Sequence, residues 1–249
     1  MTIVKNGSHS KSVRLLDLNP IMDDSIQDDF EYIGKYLLPS TIIETRQVEN
    51  GPFTIESEVD EAHAAYEVVK VCVQAEKDGF DGIFVNCFGD PGVRAAREAV
   101  NIPVFGGFEP VMYLTMGLAD NIGIVTVTDS VVPMIRGNVA KAGLENRVVC
   151  IRTVDIPVHD LFDVEKLILD LTNQSILAIE EDGAEAIVLG CTAMVDVAER
   201  VAENLLARGK NIPVAEAAQA ALTLLELHSR MGLRQSRITY MPPKNEILK

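Results

Sequence analysis

The sequence predicts an α/β protein of two pseudo-symmetric lobes, each a parallel sheet flanked by helices, with a cleft between them. Three observations lead there. Apolar strand-like runs alternate with helical ones along the 249 residues, the pattern of βαβ crossovers in parallel sheets. A local phrase occurs twice at a constant offset of 104. Its first copy runs Glu76-Lys77-Asp78-Gly79 into Ile83-Phe84-Val85-Asn86-Cys87, its second Glu180-Glu181-Asp182-Gly183 into Ile187-Val188-Leu189-Gly190-Cys191. The tetrapeptide Asn101-Ile102-Pro103-Val104 then returns as Asn211-Ile212-Pro213-Val214 at offset 110, so six residues enter after the second cysteine. Asp-Gly before an apolar strand is common in βαβ units, but Glu, Asp, Gly, Ile and Cys shared in one register indicate duplication.

Val13 to Leu18 reads as the first strand and stops at Asn19-Pro20. Asp23 or Asp24 caps a helix reaching about Tyr36, which Pro39 ends. Thr41 to Gln47 alternates as a second strand, and Gly51-Pro52 opens a loop. A helix over Ser57–Asp78 precedes the strand Ile83–Asn86; after Cys87, Gly89-Asp90-Pro91-Gly92 leads into a helix over Val93–Val100, and the next strand begins at Asn101–Val104. The succession restarts with a strand at Ile122–Val127, a helix at Pro133–Ala142 and a strand at Val148–Thr153. A helix at Val164–Asp182, the strand Ala186–Leu189 before Cys191 and a helix at Val195–Ala207 follow. Asn211–Val214 opens the last strand, and Glu216–Met231 is a helix ended by Gly232. The lobes are expected at residues 1–106 plus 214–249 and 107–213, with the last helix crossing back to the first lobe.

With 47% hydrophobic residues the chain can bury one large core or two medium ones. Its formal net charge of −15 excludes polyanionic partners such as nucleic acid, which need clustered Lys and Arg. Met1–Lys11 is polar, too short of apolar residues for a signal peptide or a membrane span, and reads as a flexible lead-in. Four cysteines without a secretory signal point to reduced thiols and a cytoplasmic location. Cys72, on a helix, and Cys150, in a strand, read as small buried hydrophobes. His9, His63, His159 and His228 are scattered without ligand spacing, so no metal or cofactor site is expected.

Cys87 and Cys191 are different. Each ends a strand at the edge where open α/β sheets bind ligands, in a turn before a helix. Nearby N–H groups and the positive end of a helix dipole are expected to lower such a thiol's pKa toward neutrality. Two lobes facing across a pseudo-twofold axis place the thiols on opposite sides of one ligand carbon. One thiolate can then remove a proton while the other thiol donates one to the opposite face, which is two-base racemisation or epimerisation of a carbon next to a carbonyl.

At these residues the chain resembles hydantoin racemases, including allantoin racemase, of the aspartate/glutamate racemase superfamily. Cys87-Phe88-Gly89-Asp90-Pro91-Gly92 with Ala95-Ala96-Arg97-Glu98 is similar to their first cysteine motif, and Gly190-Cys191-Thr192-Ala193-Met194 to their second. Asn19-Pro20, Gly51-Pro52 with Ile55-Glu56-Ser57, Asp155-Ile156-Pro157-Val158 and Tyr240 with Pro242-Pro243 extend the likeness from about Val13 to Pro243. The resemblance implies Cys87 and Cys191 as the acid/base pair, no cofactor, and substrate contacts from Asn19, Ile55, Phe88, Thr126 and Thr192. Ile55 and Phe88 equally suit a core, Asn19 a cap, Thr126 an ordinary strand, and Asp90 a cap of the helix after Cys87. Two departures stand out. Ile21-Met22-Asp23 follows Asn19-Pro20 where the family usually has Asn-Thr-Ser, and Ala193-Met194 stands where amino-acid racemases of the superfamily carry a His.

The expected activity is therefore racemisation of a 5-substituted hydantoin or related cyclic ureide, a small-molecule substrate, with homo-oligomerisation left open. Decarboxylation or cis-trans isomerisation of a small carboxylic acid on the same fold is one alternative. A catalytically silent two-lobed binding protein is the other.

Overall fold

Two four-stranded parallel sheets form the computed structural model, which describes residues 12–23 and 31–244. The expected lead-in and a cap at Asp24 lie outside the described residues. The first sheet takes β1 (Val13–Asn19), β2 (Thr41–Gln47), β3 (Gly82–Val85) and β4 (Val104–Phe105) in the order β2-β1-β3-β4. The second takes β5 (Ile122–Thr126), β6 (Val148–Thr153), β7 (Ala186–Leu189) and β8 (Val214–Glu216) in the matching order β6-β5-β7-β8. All pairs are parallel, so each lobe's strands end on one edge. The inner strands β1, β3, β5 and β7 are almost wholly buried because helices cover both faces.

The helices are α1 (Glu31–Gly34), α2 (Glu58–Lys77), α3 (Val93–Ala99), α4 (Phe108–Met116), α5 (Val132–Lys141), α6 (Val164–Asp182), α7 (Ala198–Leu206) and α8 (Ala217–Met231). Ser57 caps α2, accepting from the Asp60 N–H, while Asp60 accepts from the Ser57 hydroxyl and the Glu56 N–H. The repeated Asp-Gly stops end α2 and α6 as the sequence implies: Gly79 and Gly183 take positive φ of 80° and 76°, and the chain turns straight into β3 and β7.

Three expectations are corrected. The α1 segment ends at Gly34, short of Tyr36. Helix α7 starts at Ala198, three residues later than expected, because residues 192–197 form an irregular loop. Helix α4 was not foreseen. It follows β4, yet packs on α8, β7 and β8, while α8, following β8, packs on β1 and β3. Each lobe thus sends one helix into the other.

Candidate active site

The parallel ladder carries both cysteines to the same edge of their sheets. The Asn86 N–H donates to Leu18 O and the Gly190 N–H to Val125 O, each at 2.8 Å, so each strand stays paired up to the residue before its cysteine. Beyond those bonds the two loops turn toward one another. A Cβ built on Gly107 would lie 2.8 Å from Thr192 Cγ2, 3.0 Å from Cys87 O and 3.1 Å from Phe88 Cα, so the loops converge on that glycine.

Between them lies a cavity of about 610 Å³ lined by both Cys87 and Cys191, large enough for a small molecule. Asn19, Ile55, Phe88, Thr126 and Thr192, the five residues implied by resemblance, all line it. Their roles in the fold differ. Phe88 packs edge-on against Phe108 at 5.6 Å and is almost buried, so it is both core and wall. The Thr126 hydroxyl donates to Gly190 O at 2.8 Å, tying the end of β5 to the Cys191 loop. Ile55 and Asn19 are nearly buried at the first lobe's rim.

Ile21 and Asp23, from the segment that departs from the family after Asn19-Pro20, also line it, and the sequence did not reveal the rest of the wall. Asp17, Asn86, Thr54 and Asp23 give the first lobe a polar side, while Val131, Met134, Ile135, Leu161 and Phe162 give the second an apolar one. His159 joins them, and no Lys or Arg is among the described lining residues. Two hydrogen bonds cross between the lobes beside the cavity. Asn138 Nδ2 donates to Gly89 O and the Val158 N–H to Glu56 Oε1, both at 2.9 Å.

The thiols are half-buried, and their titration departs from the expected direction. Burial pushes Cys87 up to about 12 and Cys191 up to about 11, although peptide N–H groups oppose it, Gly89 at Cys87 and Ala193 and Met194 at Cys191. Cys191 also raises Cys87 electrostatically, a sign of their proximity. Helix α3 starts six residues after Cys87 and α7 seven after Cys191, so neither cysteine adjoins the helix that follows it.

Asp90 is no cap of the following helix. Gly92 occupies that N-cap, and Asp90 instead accepts from the Phe108 N–H at 3.0 Å, at the start of α4. Cys150 is half-buried rather than buried, hydrogen-bonded with Asp182 and Arg152, and not among the residues lining the cavity. Cys72 is buried as expected. Among the described residues there is no cluster of His, Cys, Asp or Glu suited to a metal ion. No helix among them is long and apolar enough to cross a membrane.

Comparison with known proteins gives the family and the fold. Residues 30–225 match the Asp/Glu/Hydantoin racemase family. A hydantoin racemase of Pseudomonas sp. (strain NS671) is 34% identical over 198 residues, covering 79% of this chain and 78% of that protein. One from Paenarthrobacter aurescens is 29% identical over 93% of this chain and 98% of its own length. An allantoin racemase from Klebsiella pneumoniae superposes with a TM-score of 0.83 at 30% identity, covering 96% of each chain. A glycine-to-cysteine mutant of arylmalonate decarboxylase, at 17% identity and a TM-score of 0.64 over 88% of this chain and 94% of its own, shares the fold.

Proposed function

The chain belongs to the Asp/Glu/Hydantoin racemase family and is an isomerase of the racemase type, and from that premise we propose that it racemises 5-substituted hydantoins or related cyclic ureides with Cys87 and Cys191 as acid and base. The observation that carries the reading is one cavity flanked by two thiols from equivalent strand ends of two pseudo-symmetric lobes. One thiolate removes the C5 proton, and the electron pair passes to the adjacent carbonyl oxygen as an enolate. The opposite thiol protonates C5 from the other face, and the two sulfurs exchange protonation states. Asn19, Ile55, Phe88, Thr126 and Thr192 hold the ring between them. The lobe division is drawn at 1–106 and 107–213 on the same grounds, with the returning C-terminal part of 214–249 assigned to the first lobe from α8 onward, because α8 packs on β1 and β3 whereas β8 (Val214–Glu216) pairs with β7 in the second sheet.

The charge of the wall favours a neutral ring over a free carboxylic acid. Asp17 and Asp23 face a cavity whose described lining has no Lys or Arg to offset a substrate carboxylate, whereas ureide N–H groups suit acidic and amide partners. The polar side of the first lobe fits the ring and the apolar side of the second fits a hydrocarbon substituent.

An enantiopure 5-alkylhydantoin in deuterium oxide is expected to lose optical rotation and gain one C5 deuterium, beyond a protein-free control. Carbon dioxide release from an arylmalonate, with no action on hydantoins, would favour the decarboxylase instead. Neither activity would leave the cis-trans isomerase and the silent binder.

The raised thiols fix a pH dependence. The active free enzyme holds one thiolate and one thiol, and the pair loses its first proton well above neutrality, near 11. From roughly pH 6 to 8.5, kcat/KM is expected to climb about tenfold per unit without a plateau. A plateau by pH 7.5 would show that a thiol is already ionised there.

A further inference from the structure

Each cysteine loop is tied down by one carboxylate, half-buried Asp90 and buried Glu216, and the two ties run in opposite directions. In the first lobe the carboxylate belongs to the loop: Asp90, three residues after Cys87, reaches the Phe108 and Gly107 N–H groups at the start of α4. Gly106 must lack a side chain for this, since a Cβ there would overlap the Asp90 carboxylate. In the second lobe the repeat offset of 110 sets Glu216 opposite Gly106, and here the carboxylate reaches back to the loop. Glu216 Oε2 accepts from the Asp196 N–H at 3.1 Å, and Oε1 accepts from the Val197 and Ala198 N–H groups at 2.8 Å each. Asp90 and Asp196 both take left-handed backbone, φ 58° and 57°, at the point of attachment.

Residues 191–197 have no cap of their own. Val197, at the N-cap of α7, carries no oxygen on its side chain, so the free N–H groups there depend on a residue 18 to 20 positions downstream. Glu216 is 3% exposed and directly precedes α8, the helix that packs into the first lobe. The tie therefore couples the Cys191 loop to the element that joins the lobes.

We propose that Glu216 is the positioning residue for the Cys191 thiol, the counterpart of Asp90 for Cys87. It fixes the loop so that the Ala193 and Met194 N–H groups meet the sulfur, and it sets that sulfur's place across the cavity. The kinetic consequence rests on the two-thiol racemase reading; the structural one does not.

The test is iodoacetamide alkylation of the intact protein at pH 8, with each cysteine followed by peptide mapping, for wild type, Glu216→Gln and Glu216→Asp. Glu216→Gln leaves one acceptor oxygen in place of two for three donors. It is expected to loosen the loop and speed Cys191 labelling at least fivefold, with Cys87 changed less than twofold. Glu216→Asp, which keeps the charge, returns Cys191 toward the wild-type rate and serves as the variant if the Gln form does not fold, then showing a two- to threefold effect on Cys191 alone. With a hydantoin substrate, Glu216→Gln lowers kcat about tenfold and leaves KM within threefold. Equal changes at both thiols, or none at Cys191 in a folded variant, overturn the proposal. If wild type racemises no hydantoin while the selective labelling change appears, the positioning role stands and the substrate reading falls.

Discussion

Cys87→Ser and Cys191→Ser are each expected to lower net racemisation of an enantiopure 5-alkylhydantoin by about 10³-fold or more, as loss of one of two proton-transfer groups requires. Serine keeps the size and a hydroxyl, but that hydroxyl is far too weak an acid to supply the base. Because enantiomers have equal free energy, kcat/KM must fall equally in both directions whichever thiol is lost. Polarimetry from each pure enantiomer measures this, with circular dichroism to show that the fold persists. Racemisation within tenfold of wild type in either variant would place the base elsewhere.

Gly107→Ala is the second large effect. The added Cβ meets Thr192 of one cysteine loop at 2.8 Å and the Cys87 carbonyl and Phe88 Cα of the other at 3.0 and 3.1 Å. Gly107 has a φ of −83°, ordinary for alanine, so the penalty is steric and falls on the gap between the loops. Backbone cannot yield as a side-chain tip would. A displacement approaching 1 Å is expected to cost about 10²-fold in kcat/KM, with about 1–3 kcal/mol of stability from overpacking. Gly137→Ala, in open space on α5, is the control and should leave activity unchanged. Steady-state kinetics and urea unfolding on both variants separate the site's geometry from general stability.

The strands and the two thiols were legible because their signals are local. Val13–Leu18 and Ile122–Val127 read as buried strands on their own, and the Asp-Gly stops at 78–79 and 182–183 carry a backbone requirement that glycine meets. What escaped depends on residues far apart in sequence. Helix α4, Phe108–Met116, is packed between elements of both lobes and shows no clear polar face, so periodicity does not mark it. The start of α7 was misplaced because its cap, Glu216, lies downstream at the end of the next strand. Val131, just before α5, and Met134 and Ile135 within it look like a core face, and only the fold turns them toward a cavity.

The thiol acidity shows the same limit. The sequence correctly implied peptide N–H groups around each sulfur, but the extent of burial is a property of two lobes closing, and burial wins. Slow alkylation at neutral pH is therefore expected of this protein whether it catalyses or merely binds. A buried thiolate, once formed, is correspondingly a stronger base toward a weakly acidic C5 hydrogen.

The central claim, that Cys87 and Cys191 act on opposite faces of one carbon, is tested most directly by the handedness of exchange in the single variants. In deuterium oxide each remaining thiol can remove and return hydrogen only on its own side, so Cys87→Ser should exchange the C5 hydrogen of one hydantoin enantiomer and Cys191→Ser that of the other, both with retained configuration. Exchange of the same enantiomer by both variants, or of both enantiomers by either one, would contradict it.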